Sequence, residues 1–212
     1  MCFFGGASCI MKAEAKGNLV SVALCHMFVL AALIYVGAAI SGGHYNPAVT
    51  LGLMITGKIW WWHAVLYFIF QTIGSLLAGI LLRYSIPSGS RVAGGLGFPT
   101  VHHGQIGGMK AFLCEMICNF STLKININHL GTFTLVFMVF ALAVDKRASK
   151  FVGALCIGGS LGAAVLAIGP ISGAALNPLR WFGPCLMGTI LCECDTPSIA
   201  KLDLEKCKVI FP

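Results

Sequence analysis

The stretch that decides the fold is SGGHYNPAVT, residues 41–50, which returns in altered form as SGAALNPLR, residues 172–180. The two copies are offset by 131 residues, and at that offset the Ser-Gly pair, the Asn-Pro pair and a later Gly all coincide. A single Asn-Pro pair is a common turn signal. Two copies in one frame, each followed by an apolar run, indicate an internal repeat.

Each copy of the repeat predicts the start of a short helix. Asn is a strong N-cap, and Pro is favoured as the first helical residue because its missing N–H would have had no partner there. We therefore expect half-helices over residues 46–55 and 177–187. The small residues just before each Asn allow an extended backbone to approach other elements closely.

Composition indicates an all-α membrane protein. Hydrophobic residues make up 58% of the chain and charged residues only 10%, whereas a soluble domain carries about 25% charged residues. The net charge of +7 comes from few residues, mostly between apolar runs, which fits anchoring beside a membrane better than nucleic-acid binding. The ten Cys include no paired C-x-x-C, so we predict no metal site and no cofactor. No nucleophile–base pair or phosphate loop occurs, so we predict no enzyme.

The apolar runs are long enough for several membrane spans, each of which needs about 20 helical residues. Residues 1–11 are too short and are interpreted as the stub of a first span, and residues 188–212 as a polar tail. One span is interpreted as interrupted by a polar insertion, residues 119–131, for which translated intron sequence is one origin. The predicted spans of this single channel domain, residues 1–212, are 18–40, 60–82, 111–144 with the interruption, and 151–169.

Three spans separate the two half-helices, and because three is odd the half-helices enter from opposite faces of the membrane. Their N-termini can then meet near the midplane, as in transport sites built from inverted repeats. Irregular backbone at that depth requires protein or water partners, which implies a water-lined path. Each Asn side-chain oxygen is expected to cap its own helix and to leave the amide N–H groups free as donors. Both helix N-termini place partial positive charge at the centre, which disfavours cations and protons.

The paired Ser-Gly-x-x-x-Asn-Pro boxes resemble those of the aquaporins of the major intrinsic protein family, over residues 18–187. The resemblance implies an aquaporin-like inverted repeat with two re-entrant half-helices, with about four of the family's six spans complete here. The first box is the family's Asn-Pro-Ala in full. The second is Asn-Pro-Leu, and its bulkier third residue could narrow the pore. The pore centre implied by the resemblance is Asn46, Pro47, Ala48, Asn177, Pro178 and Leu179.

The family's selectivity constriction, located by its spacing from the two Asn, falls at His26, Val165, Ala174 and Arg180. This set is similar to that of the tonoplast-intrinsic subgroup, and not to strict water channels or glycerol facilitators. Arg180 has support independent of the resemblance. A cation in the first turn of a helix is disfavoured by the helix dipole and is costly in a membrane, so a pore role is preferred to a surface anchor.

Two further residues are candidates for a scaffold. Glu115 is an intramembrane carboxylate, and it resembles the family's buried Glu that hydrogen-bonds the second re-entrant loop. His44 resembles the family's loop histidine, for which a pore-side carbonyl and a scaffold role both remain open.

The resulting prediction is a passive channel for water and small neutral solutes such as ammonia, urea or hydrogen peroxide, which excludes ions and protons. The resemblance implies a homotetramer in the lipid bilayer of an intracellular, vacuole-like membrane rather than the plasma membrane. The alternative is a truncated, non-conducting aquaporin-like polypeptide with at most a structural or regulatory role.

Overall fold

A computed structural model describes residues 1–13, 17–86, 123–145, 147 and 149–192. This part of the chain is helical and contains no strand. A π-helical turn, Phe140–Val144, continues the fifth helix. The helices are α1 Cys2–Ala13, α2 Leu19–Ser41, α3 Pro47–Ile55, α4 Trp61–Ser85, α5 Leu123–Val139, α6 Lys150–Ser172 and α7 Pro178–Cys192.

Helix lengths divide the structure into spans and half-spans. Within the described residues three helices, α2, α4 and α6, are long and apolar enough to cross a membrane. The 23 residues of α2 rise roughly 35 Å at 1.5 Å per residue, which covers a hydrocarbon core of about 30 Å. The nine residues of α3 rise only about 14 Å, so this helix reaches roughly half-way. The all-α membrane class predicted from composition is confirmed.

The main hydrophobic core lies between α2, α3, α5 and α6. Both halves of the repeat contribute to it, because Val49 lies in the first turn of the first half-helix and Leu176 directly precedes the second Asn-Pro pair. The two re-entrant segments are therefore enclosed by protein at their inner ends. The buried members of this core are Leu30, Val49, Leu53, Leu135, Val139, Ile157, Leu161 and Leu176.

Glycines allow α2 and α6 to pack closely. A Cβ atom added at Gly158 would overlap the Met27 carbonyl oxygen and would lie 2.9 Å from the Ala31 Cβ. One turn later, a Cβ atom at Gly162 would lie 3.0 Å from the Met27 Cβ and 3.2 Å from the Ala23 carbonyl oxygen. Small residues at such spacing let helix backbones approach each other in lipid, where no hydrophobic effect drives helices together.

The described part of the polar insertion predicted at residues 119–131 is helical, and the insertion itself stays a prediction. Helix α5 begins at Leu123 and runs without a break through residue 131. Asn, Lys and His are only mildly unfavourable inside a helix, so polar side chains alone do not end one. Gly131 also has a packing role, since a Cβ atom there would lie 2.8 Å from Leu176 and 2.9 Å from Ile168. Residues 111–122 lie outside the described part of the chain.

The second half-helix ends later than the predicted position near residue 187. Helix α7 continues five residues past 187, to Cys192. Residues 188–192 carry no charge, so nothing forces the helix to stop where the polar tail was predicted to begin. The other helix ends lie within three residues of the predicted ones, as far as the described residues test them.

The close α2–α6 contact generates a first prediction. Gly158→Ala should lower the thermal unfolding midpoint of the detergent-solubilised chain, because the added methyl group collides with the backbone of α2 and overpacking costs about 1–3 kcal/mol. Gly159→Ala is the matched control, because a Cβ atom at this neighbouring position meets nothing within 4 Å. Equal midpoints for the two variants would show that α2 and α6 do not pack as described.

Candidate functional site

Each half-helix begins at an Asn that caps it. The Asn46 Oδ1 accepts a hydrogen bond from the backbone N–H of Ala48 at 2.9 Å, and the Asn177 Oδ1 accepts one from Leu179 at 3.1 Å. Both Asn residues are buried, with 4% and 2% of their surface exposed. The caps satisfy one N–H at the start of each helix that would otherwise have no partner at this depth.

The two Asn side chains also join the loops to each other. The Asn46 Nδ2 donates to the carbonyl oxygen of Leu176 at 2.7 Å, and the Asn177 Nδ2 donates to the carbonyl oxygen of Tyr45 at 2.9 Å. Each acceptor directly precedes the other Asn, so the contact is reciprocal. The expectation that the amide N–H groups are free is therefore wrong for one N–H of each Asn, since an amide nitrogen carries two.

The backbone conformations of the two loops match at two successive positions and differ at a third, where Leu176 is left-handed with a φ value of 47° and the equivalent Tyr45 is not. Gly42 and Gly173 end the preceding long helices in the left-handed region, with φ values of 88° and 83°. The next residues, Gly43 and Ala174, are also left-handed, with φ values of 66° and 46°. A left-handed Ala is uncommon and strained, and its agreement with a Gly at the equivalent position shows that the repeat imposes the conformation.

Helix α4 holds both loops through polar side chains one turn apart. The Gln71 Nε2 donates to the His44 carbonyl oxygen at 2.5 Å and to the Thr50 Oγ1 at 3.0 Å. The Ser75 Oγ donates to the carbonyl oxygen of Leu179 in the second half-helix. A Cβ atom at Gly183 would overlap Ser75, so α7 lies directly against α4 there. One helix thus fixes the positions of both re-entrant segments.

His44 lies on the α4 side of the first loop. Its ring stacks on the ring of Tyr67, with centroids 4.3 Å apart and an interplanar angle of 19°. The Tyr67 hydroxyl in turn donates to the carbonyl oxygen of Ser41. Because the His44 carbonyl accepts from Gln71, these contacts favour the scaffold role over a pore-side carbonyl.

The four predicted constriction residues are all buried, and none is more than 3% exposed. Val165 and Ala174 pack in one apolar cluster with Val22 and Ala23 of α2, and Cys9 of α1 packs against it. The His26 Nδ1 lies 2.8 Å from the Val22 carbonyl oxygen, so the neutral ring carries its proton on Nδ1 and presents Nε2 as an acceptor.

Arg180 lies in the first turn of α7 and contacts α1. Its Nη2 donates to the Cys9 Sγ at 3.1 Å. Its Nε and Nη1, like the His26 Nε2, are buried and have no hydrogen-bond partner among the described residues. The Arg180 Nε and Nη1 carry three of the five N–H donors of the guanidinium. More than half of the hydrogen-bonding capacity of Arg180 is therefore unused within the described residues.

Sequence reasoning missed Gln71, Ser75 and Cys9. The first two carried a usable signal, because they are polar residues four apart in an otherwise apolar span, and such residues face one side of a helix. Cys9 carried none, because its importance depends on which residue α1 contacts. Glu115 lies outside the described residues. Within the described ranges no group of three or more His, Cys, Asp or Glu could hold a metal ion.

Comparison with known proteins identifies the architecture. The family model described as major intrinsic protein matches residues 1–191. Aquaporin TIP4-4 of Zea mays is 40% identical over 175 residues, which cover 82% of this chain and 62% of the relative. Aquaporin TIP2-1 of Arabidopsis thaliana is 40% identical over 173 residues, which cover 80% of this chain and 61% of the relative. The chain thus spans about three fifths of the length of these curated relatives.

A solved structure has the same fold. The aquaglyceroporin from Plasmodium falciparum superimposes with a TM-score of 0.53 at 21% sequence identity, over 89% of this chain and 79% of that one. The family match covers far more than half of the sequence. With its paired Asn-Pro loops and apolar helices, this chain belongs to the major intrinsic protein family, whose aquaporin members are membrane channels and not enzymes.

Proposed function

We propose that this chain is a passive transmembrane channel for water and small neutral solutes such as ammonia, urea or hydrogen peroxide. The observation that carries the proposal is the reciprocal bonding of Asn46 and Asn177, which brings the N-termini of two half-helices together inside the bundle. Each Asn keeps one amide N–H that the loop contact does not use. Each of these two N–H groups can donate a hydrogen bond to the oxygen of a permeating molecule in turn.

Exclusion of cations and protons follows from the charges at the same place. Each helix N-terminus is equivalent to roughly half a positive charge. Arg180 adds a full positive charge beside the second of them, in surroundings where a buried charge acts over a longer range than in water. A neutral permeant meets hydrogen-bonding groups without this repulsion.

His26, Val165, Ala174 and Arg180 are proposed to form the selectivity constriction. One apolar side is provided by Val165 and Ala174, while the Arg180 donors and the His26 Nε2 provide a polar side. A site of this kind accepts small polar neutral molecules and offers no anionic group to a cation. The homotetramer and the vacuole-like membrane remain expectations, although the relatives with TIP names are consistent with the latter.

The proposal is tested by stopped-flow light scattering of proteoliposomes that contain the full chain. Vesicles with the protein should shrink faster under osmotic stress than empty vesicles. Equal rates would reject the channel and favour a non-conducting polypeptide.

Asn46→Asp should lower water permeability severalfold and admit cations. The carboxylate can still cap α3, but it cannot donate to the Leu176 carbonyl oxygen, and leaving a buried acceptor without a partner costs about 1–3 kcal/mol. Its negative charge also offsets the central positive field. Asn18→Asp is the matched control, because Asn18 caps α2 in the same way, through the Ser21 N–H, at an exposed site. If both variants conduct like the parent, the reciprocal contact has no functional role.

Arg180→Val should raise permeability to urea and weaken the exclusion of cations, because the fixed charge and the bulk of the guanidinium are both lost. The measurements are urea-driven reswelling and a potential-sensitive dye in the same vesicles. Arg147→Val is the control, since Arg147 is exposed and pairs with Asp145 at 2.6 Å. Unchanged selectivity in Arg180→Val would contradict the constriction assignment.

Gln71→Leu should lower both the thermal midpoint and the water permeability, since the His44 carbonyl and the Thr50 hydroxyl lose their common donor. Thr72→Val is the control one residue along, because the Thr72 hydroxyl donates only within α4, to the Phe68 carbonyl oxygen at 2.7 Å. The positioning role of Gln71 requires the first variant to lose permeability per folded molecule. A fall in stability alone would make Gln71 merely a packing residue.

A further inference from the structure

The thiol of Cys9 and the guanidinium of Arg180 form a contact that channel function does not explain. Cys9 lies on α1, is partly exposed, and accepts from the Arg180 Nη2 at 3.1 Å. A thiol is a weak acceptor, so it compensates little of the charge of a guanidinium that is only 2% exposed. Arg147 pairs with the carboxylate of Asp145, so within the described residues this carboxylate does not compensate the charge of Arg180.

Two buried side chains with unpartnered polar atoms, Arg180 and His26, contact the same face of α1. The Arg180 Nε and Nη1 have no partner among the described residues, and neither does the His26 Nε2. The His26 ring lies against Gly5, where an added Cβ atom would be 2.6 Å from Nε2. Gly5 and Cys9 are four residues apart in α1 and therefore share one face of that helix. An oxygen-bearing, anionic group at the Cys9 sulfur would meet the buried N–H donors of Arg180, which are already in place.

We propose that Cys9 is an oxidative modification site at the constriction, whose oxidised form binds Arg180 and closes the passage. The reagent is a small hydroperoxide, the class that includes hydrogen peroxide. The closing step rests on the proposed function, because it presupposes a conducting passage beside these residues.

The chemistry takes two steps. In the first, the Cys9 sulfur attacks one peroxide oxygen, the O–O bond breaks, and the thiol and H2O2 become a sulfenic acid and water. In the second, another H2O2 oxidises the sulfenic acid to the sulfinic acid, again with release of water, and the sulfinic acid loses its proton to solvent. The sulfur is oxidised and the peroxide oxygen is reduced in each step.

The sulfinate is the form that fits the site. Its two oxygens are acceptors with negative charge, and charge-assisted hydrogen bonds to a guanidinium are roughly twice as strong as neutral ones. Bound to Arg180, the group would fill the space beside Val165 and Ala174 and would neutralise the fixed charge. Water permeability should then fall, and a thiol reductant should not restore it, because sulfinic acids resist thiols.

The test uses the full chain in proteoliposomes, treated with hydrogen peroxide and measured in two ways. Peptide mass mapping should show two added oxygen atoms on the peptide with Cys9, and stopped-flow scattering should show a fall in permeability of about twofold or more. Cys9→Ser vesicles, each batch compared with its own untreated half, should lose this response. Cys25→Ser is the matched control and should keep it, because the partly exposed Cys25 thiol donates to the Phe4 carbonyl oxygen at 3.5 Å, whereas Arg180 donates to Cys9.

The two readouts separate failure of this proposal from failure of the proposed function. If untreated vesicles are no more permeable than empty ones, the channel is rejected and closure with it, while mass mapping still decides whether Cys9 is the modified site. Two added oxygens on Cys9 without loss of permeability would overturn closure alone. Oxidation of Cys25 in preference to Cys9, or an undiminished response in Cys9→Ser, would overturn the assignment of the site.

Discussion

The structure depends on one constraint, which is that backbone groups at membrane depth need hydrogen-bond partners other than lipid. Two irregular loops reach that depth, and each supplies what the other lacks. The carbonyl oxygens of Tyr45 and Leu176 are the last acceptors before each half-helix, and each receives its hydrogen bond from the Asn of the opposite loop. Neither loop is fully satisfied alone, so the two halves of the repeat can fold into the bilayer only together.

Close packing of the surrounding helices follows from the same constraint, because lipid must be kept away from the loops. Small residues stand where the elements approach most closely: Gly158 against α2, Gly183 against Ser75, and Gly131 against Leu176. At each position an added methyl group would push apart elements that enclose a re-entrant segment. The glycines therefore help to keep lipid away from the backbone groups of the loops, because they allow the surrounding helices to pack closely against each other.

The parts of the structure that the sequence predicts are those with local causes. Asn46 and Asn177 predict helix starts through capping chemistry that involves only a few neighbouring residues. The odd number of spans between them predicts that the two half-helices have opposite orientations. Facts that depend on a distant partner were not predictable. The sequence could not show that one N–H of each Asn binds the opposite loop, nor that Gln71 and Ser75 face the loops rather than lipid.

The start of α5 was missed for a related reason. Polar composition predicts exposure, but it does not by itself predict the end of a helix, and residues 123–131 have no proline to stop one. For the constriction, spacing from the two Asn selected four positions that are all buried, two of which, Val165 and Ala174, share one apolar cluster, and the constriction itself stays a proposal. Cys9 completes the same cluster from α1, and no spacing rule within the repeat reaches that helix.

Arg180 differs from the other buried polar residues of the loops because most of its hydrogen-bonding groups have no partner among the described residues. A guanidinium in the first turn of α7 is repelled by the helix dipole, and inside a membrane it is costly unless paired. The described structure gives it only a thiol, a weak acceptor, and leaves Nε and Nη1 without partners. A purely structural side chain would be better replaced by an apolar one of similar size. The arrangement makes sense if those donors serve molecules that come and go, and if the uncompensated charge is what keeps cations out.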